Sequence, residues 1–260
     1  MHSRQDKLEA FGRVIDVLTR LRKYCPWDRV QTNDSLRPNT IEEVYELCDA
    51  LLNDDNPNIR KELGDVLLHV LFYALIGEEK EAFDIADVCD ALCDKLIFRH
   101  PHVFGTERAD SAGEVLQNWE QLKLREKGGN KTVLGGVPES LPALIKAYRM
   151  QEKAAHVGFD WEERDQVWDK VREEMAEFKA EAEAGSKEGM EAEMGDLLFS
   201  VVNLARLYDI HPDTALERTN KKFRRRFNHI EEAARASGRQ LKDMTLTEME
   251  ALWQEAKSGE

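Results

Sequence analysis

An internal repeat sets the strongest limit on what this chain can fold into. The run Glu42-Glu43-Val44-Tyr45-Glu46 answers to Glu173-Glu174-Met175-Ala176-Glu177, and Glu62-Leu63-Gly64-Asp65 answers to Glu193-Met194-Gly195-Asp196. Both pairs are offset by 131 positions (173 − 42 and 196 − 65), and the offset still holds at Ala74 and Ala205. Register kept over more than thirty residues marks duplication of a whole structural unit.

The repeated unit is helical. Leu63, Val66, Leu67, Val70, Leu71 and Ala74 recur at i, i+3, i+4, i+7, i+8 and i+11, and Met194, Leu197, Leu198, Val201 and Ala205 repeat the stripe. Proline is scarce and period-two alternation is hard to find, so the fold class is all-α. Each copy carries a turn in the same place, Asn53–Pro57 in the first and Gly185–Gly189 in the second. Each half therefore reads as an antiparallel helical hairpin. At ~1.5 Å per residue, Glu46 and Asp65 both stand roughly 14 Å from the first turn, as do Glu177 and Asp196 from the second. Between the copies the texture changes. Gly105–Gly113 is polar, Ala112–Lys127 suits a connecting helix, and Gly128-Gly129-Asn130 and Gly135-Gly136-Val137-Pro138 are breaks. The division is an N-terminal module at 1–104, a partly helical linker at 105–137 and a C-terminal module at 138–260.

Four acids then face one another in each hairpin: Glu43, Glu46, Glu62 and Asp65, and again Glu174, Glu177, Glu193 and Asp196. Converging carboxylates repel unless a cation joins them. All-oxygen donor sets suit Mg²⁺, with Mn²⁺ as a substitute, and facing helices of a bundle are a known way to build such a site. A solvated acidic face is the competing explanation, since the chain has 51 acids. Glu43 also fits a local capping box, Thr40-Ile41-Glu42-Glu43. The second copy has no such cap, and both copies pair EExxE with ExxD across a turn. That coincidence favours metal.

Cations follow each acid cluster: Lys95 and Arg99 in the first half, Lys222 and Arg226 in the second, both at i, i+4. Beside a divalent-metal site such pairs suit a polyphosphate. A final helix opened by Thr245-Leu246-Thr247-Glu248 carries Trp253 and Lys257, the former able to stack on a base and the latter to reach a phosphate, although a core or interface role for Trp253 is the plainer reading. Lys170, one turn before Glu174, is a further substrate candidate. His100-Pro101-His102 lacks the spacing of a helical zinc motif, His69 is replaced by Ser200 in the second copy, and no glycine-rich phosphate loop is present.

The formal net charge of −14 disfavours nucleic acid as a partner, but admits a phosphorylated small molecule bridged by metal. No apolar run reaches membrane length and the N-terminus has no signal core, so the expected address is the cytoplasm. Cys25, Cys48, Cys89 and Cys93 form no CxxC pair and are expected as reduced core residues.

The doubled EExxE…ExxD resembles the signature of the all-α nucleoside triphosphate pyrophosphohydrolases. Cys25-Pro26-Trp27-Asp28-Arg29-Val30-Gln31-Thr32, Arg99–Phe104, Ser140–Leu144 and Val157-Gly158-Phe159-Asp160-Trp161 are similar to the MazG family in particular, over nearly the whole chain. The resemblance implies Mg²⁺-dependent hydrolysis of nucleoside triphosphates to monophosphate and pyrophosphate. It implies the eight acids above as metal ligands, and Lys222, Arg226 and Trp253 as nucleotide contacts. It also implies a homodimer and a C-terminal module that carries the main activity. Glu42 or Glu173, not fully engaged with metal, would orient or deprotonate the attacking water. Two other readings stay open: a relative restricted to one nucleotide, and a non-catalytic nucleotide sensor that kept its acids for structure.

Overall fold

The computed structural model describes residues 1–111, 113–115, 122–123 and 132–259. The connecting helix expected from Ala112 to Lys127 falls for the most part, and the Gly128–Asn130 break wholly, outside the described residues. Among the described residues there is no strand; the fold is all-α. None of the described helices is long and apolar enough to cross a membrane. The chain divides into two compact units, Met1–Ala109 and Asp110–Glu260.

In the first unit α1 (Arg4–Tyr24) precedes a short 3₁₀ turn at Asp28–Val30. The hairpin follows as α2 (Asn33–Leu52) and α3 (Asn56–Glu79), then α4 (Ile85–Arg99) and the single turn α5 (Pro101–Phe104). Helix α2 starts earlier than the Thr40 capping box implied. Its N-cap is Thr32, whose hydroxyl accepts from the Ser35 amide while Ser35 answers to the Thr32 amide. Thr40 thus lies inside the helix and Glu43 is freed from any capping duty. Asp54, at φ 52°, and Asp55, the N-cap of α3, make the turn.

The core of this unit gathers Leu18, Leu36, Leu71, Phe72 and Ile76, each at most 3% exposed. Burying such a side chain contributes roughly 1.5–3 kcal/mol. Arg22 ties the loop between α1 and α2 to α3. Its guanidinium donates to both Glu79 carboxylate oxygens at 2.7 Å and to the carbonyls of Asp28 and Gln31, and lies 5.6 Å from the Phe72 ring centroid.

In the second unit a 3₁₀ turn at Leu134–Gly136 leads to α6 (Ala143–His156). The hairpin is α7 (Arg164–Ala184) and α8 (Lys187–Leu207), followed by α9 (Pro212–Ala236) and α10 (Leu246–Ser258). Gly185 closes α7 at φ 72°, a left-handed conformation that glycine adopts without steric cost. Ser186 caps α8 directly, so the turn is tighter than the five residues read from sequence. Among the described residues of this unit, Val167, Val171, Val202, Ile230 and Ala234 are the buried apolar ones.

The cysteines depart from the core role expected of them. All four are free, and Cys48, Cys89 and Cys93 are exposed. On α4 the reason is local: Ile85 packs against the core at the start of the helix, but Val88, Leu92 and Leu96 beyond it are themselves exposed, so among the described residues nothing covers the stretch that carries Cys89 and Cys93.

Candidate metal centres

The α2–α3 hairpin brings together carboxylate oxygens of Glu43, Glu62 and Asp65, all within 4.8 Å of one another. The α7–α8 hairpin does the same with Glu174, Glu177 and Glu193. Each group takes acids from both helices, which one helix alone cannot do at this spacing. Of the four acids read from sequence in each copy, Glu46 and Asp196 stand just outside, both exposed. Their charges still act on the groups: burial first, then Asp65, Glu46 and Glu62, push Glu43 up from the ordinary carboxylate range. Glu193 is pushed up likewise, by desolvation and then by Glu177, Asp196 and Glu174.

Each group holds one acid deep in the fold, and they are not the equivalent ones. Glu62 of α3 is 5% exposed in the first unit, and Glu174 of α7 is 4% exposed in the second. A lysine meets each. Lys61 Nζ lies 2.8 Å from Glu62, 3.6 Å from Asp65 and 3.9 Å from Glu46. Lys170 Nζ lies 2.6 Å from Glu174 and 3.0 Å from Glu173. These contacts hold both ammonium groups above the usual lysine range. The two lysines come from opposite helices of the hairpin; the repeat partner of Lys61 is Ala192 and that of Lys170 is Asn39. Lys61 was not singled out by sequence reasoning, although its i, i+4 spacing to Asp65 was there to read.

The donor set suits a hard divalent cation. All ligand atoms are oxygens, an ammonium stands in for a cation beside each group, and the buried Glu62 Oε2 has no hydrogen-bond partner. A buried carboxylate oxygen left without a partner is costly unless something positive reaches it.

The remaining sequence candidates fall elsewhere. Glu42 and Glu173 are exposed beside the groups. Lys95 and Arg99 lie on α4, eleven and fifteen residues past its N-cap Asp84, as Lys222 and Arg226 lie on α9 past its N-cap His211. Trp253 of α10 packs on α9: the Phe223 ring is 5.2 Å away and the Arg226 guanidinium 5.3 Å, centroid to centre. That is the packing role of a tryptophan at a helix–helix contact, with one cation held against its face. Lys257 is exposed.

A feature absent from the sequence reading lies next to the second group. A cavity of about 590 Å³ opens between α6, the Phe159–Trp161 segment and α8, with Lys170 on its wall. Asp160 and Arg206 form an ion pair at its edge, Nη1 to Oδ2 at 3.0 Å, and Arg206 Nε donates to Asn203. The signal for it in the sequence is the aromatic pair Phe159 and Trp161 flanking Asp160.

The profile of the MazG nucleotide pyrophosphohydrolase domain matches the chain twice, over residues 31–104 and 163–231. These spans contain the two hairpins and both carboxylate groups. A nucleoside triphosphate pyrophosphohydrolase of Escherichia coli K12 is 42% identical over 97% of this chain and 99% of its own length. A nucleoside triphosphate pyrophosphohydrolase/pyrophosphatase of Thermotoga maritima is 42% identical over 96% of each. The uncharacterised protein YabN of Bacillus subtilis is 49% identical over 91% of this chain, which spans 49% of that longer protein.

Proposed function

The chain belongs to the MazG nucleotide pyrophosphohydrolase family, and from that premise we propose that it hydrolyses nucleoside triphosphates to monophosphate and pyrophosphate with Mg²⁺, chiefly in its C-terminal module and as a homodimer. One observation carries the reading: the duplicated group of three carboxylates, each with a member buried and set against an ammonium. A merely solvated acidic face does not bury its acids.

In this proposal Glu174, Glu177, Glu193 and Asp196 hold the cation in the second module, and Glu43, Glu46, Glu62 and Asp65 in the first; Mn²⁺ substitutes. When bound, the cation supplies charge neutralisation for the polyphosphate and Lewis acidity. Glu173, exposed and outside the three-acid group, orients a water and takes its proton; Glu42 is its counterpart. The water oxygen forms a bond to the α-phosphorus, the bridging bond to the β-phosphate breaks, and the electron pair leaves with pyrophosphate. Lys170 exchanges its carboxylate partners for a phosphate oxygen. Lys222 and Arg226 meet the leaving group, with Trp253 and Lys257 alongside, and Lys95 and Arg99 take that part in the first module. Lys61 supports the bias toward the second module, because it engages three of the four acids of the first.

The test is ATP with Mg²⁺, products separated by ion exchange. AMP and pyrophosphate are expected, and ADP with orthophosphate would overturn the proposal. Glu193→Gln should lower turnover by on the order of 100-fold, the size of effect seen when one group that stabilises transition-state charge is lost. Glu62→Gln should lower it far less. Equal turnover in Glu193→Gln and parent would remove the metal assignment.

A further inference from the structure

We propose that Lys61 is a tethered cation that competes with the divalent metal for the carboxylates of the first module, so that the two modules of one chain fill at different metal concentrations. The inference rests on the metal-centre reading above and says what sets the two centres apart.

Lys61 stands on α3 among the acids it meets. Its Nζ donates to Glu62 Oε1 at 2.8 Å and makes ion-pair contacts of 3.6 Å with Asp65 Oδ2 and 3.9 Å with Glu46 Oε2. Glu62 and Asp65 are two of the three acids that converge in this module. Glu46 belongs to α2, so the ammonium reaches across the hairpin as well as along α3. A lysine ammonium is a compact point charge with three donors. A divalent cation held by Glu62 and Asp65 needs the same carboxylates that this ammonium engages, and the two positive charges repel at such range.

Helix stability does not account for the placement. At i, i+4 the favourable order puts the acid before the base, and Lys61 precedes Asp65. Four residues before Lys61 stands Pro57, which offers no charge.

The second module is wired differently. Ala192 is the repeat partner of Lys61, so α8 brings no ammonium to the acids from that position. Lys170 of α7 pairs with Glu174, one member of the group there, and with Glu173 outside it. In the ion pairs among the described residues, Lys61 thus takes two members of its group and Lys170 takes one.

The competition is reversible by construction. The Lys61 side chain is 60% exposed and that of Glu62 only 7%. The ammonium is free to swing into water as a metal displaces it, while the buried carboxylate stays in place. The first centre is therefore weakened and not closed, and it fills after the second as free Mg²⁺ rises.

Mn²⁺ is titrated into the nucleotide-free, full-length protein, and free Mn²⁺ is read by electron paramagnetic resonance; nucleotide is left out because it carries metal of its own. The parent should show a tighter class of site, lost in Glu193→Gln, and a weaker class, lost in Glu62→Gln. Lys61→Met, which removes the charge and keeps the length, should tighten the weaker class about fivefold, the upper end of what an exposed ion pair is worth. The tighter class should stay as in the parent, and Lys61→Arg, which keeps the charge, should leave both classes in place. Circular dichroism melting checks that the variants are folded. A weaker class that is unchanged in Lys61→Met overturns the proposal, and one that binds less tightly does so by making Lys61 a support that orients Glu62. Equal tightening of both classes overturns it too, by assigning the effect to overall charge, as do two equal classes in the parent. A parent whose Mn²⁺ binding is untouched by Glu62→Gln and Glu193→Gln would overturn the metal-centre reading itself, and this proposal with it. Two assigned classes with a Lys61→Met titration that matches the parent's would overturn this proposal alone.

Discussion

Thr40 shows how one residue can unify a helical hairpin. Its hydroxyl donates to the Leu36 carbonyl at 3.0 Å, and lies 3.0 Å from His69 Nδ1 and 2.6 Å from the Tyr73 hydroxyl. A hydroxyl has one proton and two lone pairs. With the proton committed to Leu36, the two contacts across the hairpin are donated by His69 and Tyr73. Burial holds His69 below the ordinary imidazole range, against the opposing pull of Asp65, so the neutral ring with its proton on Nδ1 fits this arrangement. The second copy has Val171, Ser200 and Leu204 at these places. Thr40→Val should leave two part-buried donors without an acceptor and cost about 1–3 kcal/mol in urea unfolding, whereas Thr40→Ser should stay close to the parent. A Thr40→Val protein as stable as the parent would mean water satisfies both donors. Thr40 was visible in the sequence but misread as a cap, because Thr-x-x-Glu is a local pattern and the true cap, Thr32, uses a serine at the third position. The distant partners that define its role, 29 and 33 residues away, leave no local trace.

Among the helices, α10 is the one whose start was read correctly and whose stability carries a pH signature. The Thr245 hydroxyl accepts from the Glu248 amide, and the Glu248 carboxylate accepts from the Thr245 amide at 2.7 Å. Arg239 closes the box from outside, Nη1 to Glu248 at 2.7 Å and Nη2 to the Asp243 carbonyl. Arg239 first, then Thr245, holds the Glu248 carboxyl down at about 2. A depressed folded pKa means that the unfolded chain binds a proton first. The contribution is therefore complete above the unfolded glutamate pKa of roughly 4.3 and is lost as pH falls toward 2. Glu248→Gln should lower the melting temperature of the full chain above pH 5, and the gap from the parent should close between about pH 4 and pH 2. A gap that persisted at pH 2 would assign the effect to packing. The capping box of α10 was legible because all its parts are local. The tighter turn between α7 and α8 was not, since Lys187-Glu188-Gly189 has loop composition but follows Ser186, which caps it into the helix. The cation pairs on α4 and α9 were legible by spacing, and their equal distance from each N-cap is clear once those caps are known.

For the molecule as a whole, the duplication was the readable part. It gives two hairpins and the acids that face each other within them, because period and register survive in sequence even when side chains differ. The cavity of the second unit was not readable. Asn203 and Ser200 line it where the first copy has Phe72 and His69; the exchange of His69 for Ser200 was visible in the repeat, but only as the loss of a metal-ligand candidate, and nothing local in the sequence says that a cavity lies beside it. The same consideration of what a hairpin cannot cover bears on assembly. Val44, Leu51, Leu63 and Val70 are exposed on α2 and α3, and Met175, Leu198 and Val201 on α7 and α8. Two facing helices shield one side of an apolar stripe and leave the other side wet. The exposed apolar surface on both hairpins exceeds what the described helices of one chain cover, and the homodimer proposed above would bring further helices of matching chemistry to it. Sedimentation equilibrium at micromolar concentration should then give twice the mass of the chain. Leu198→Glu places a charge in that surface and should shift the protein toward monomer, with ATP turnover falling by at least about tenfold, the scale of a few kcal/mol lost from an interface when a buried apolar contact becomes an unpaired charge. A parent that sediments as a monomer at tens of micromolar, and turns over ATP fully in that state, would show that each hairpin works uncovered.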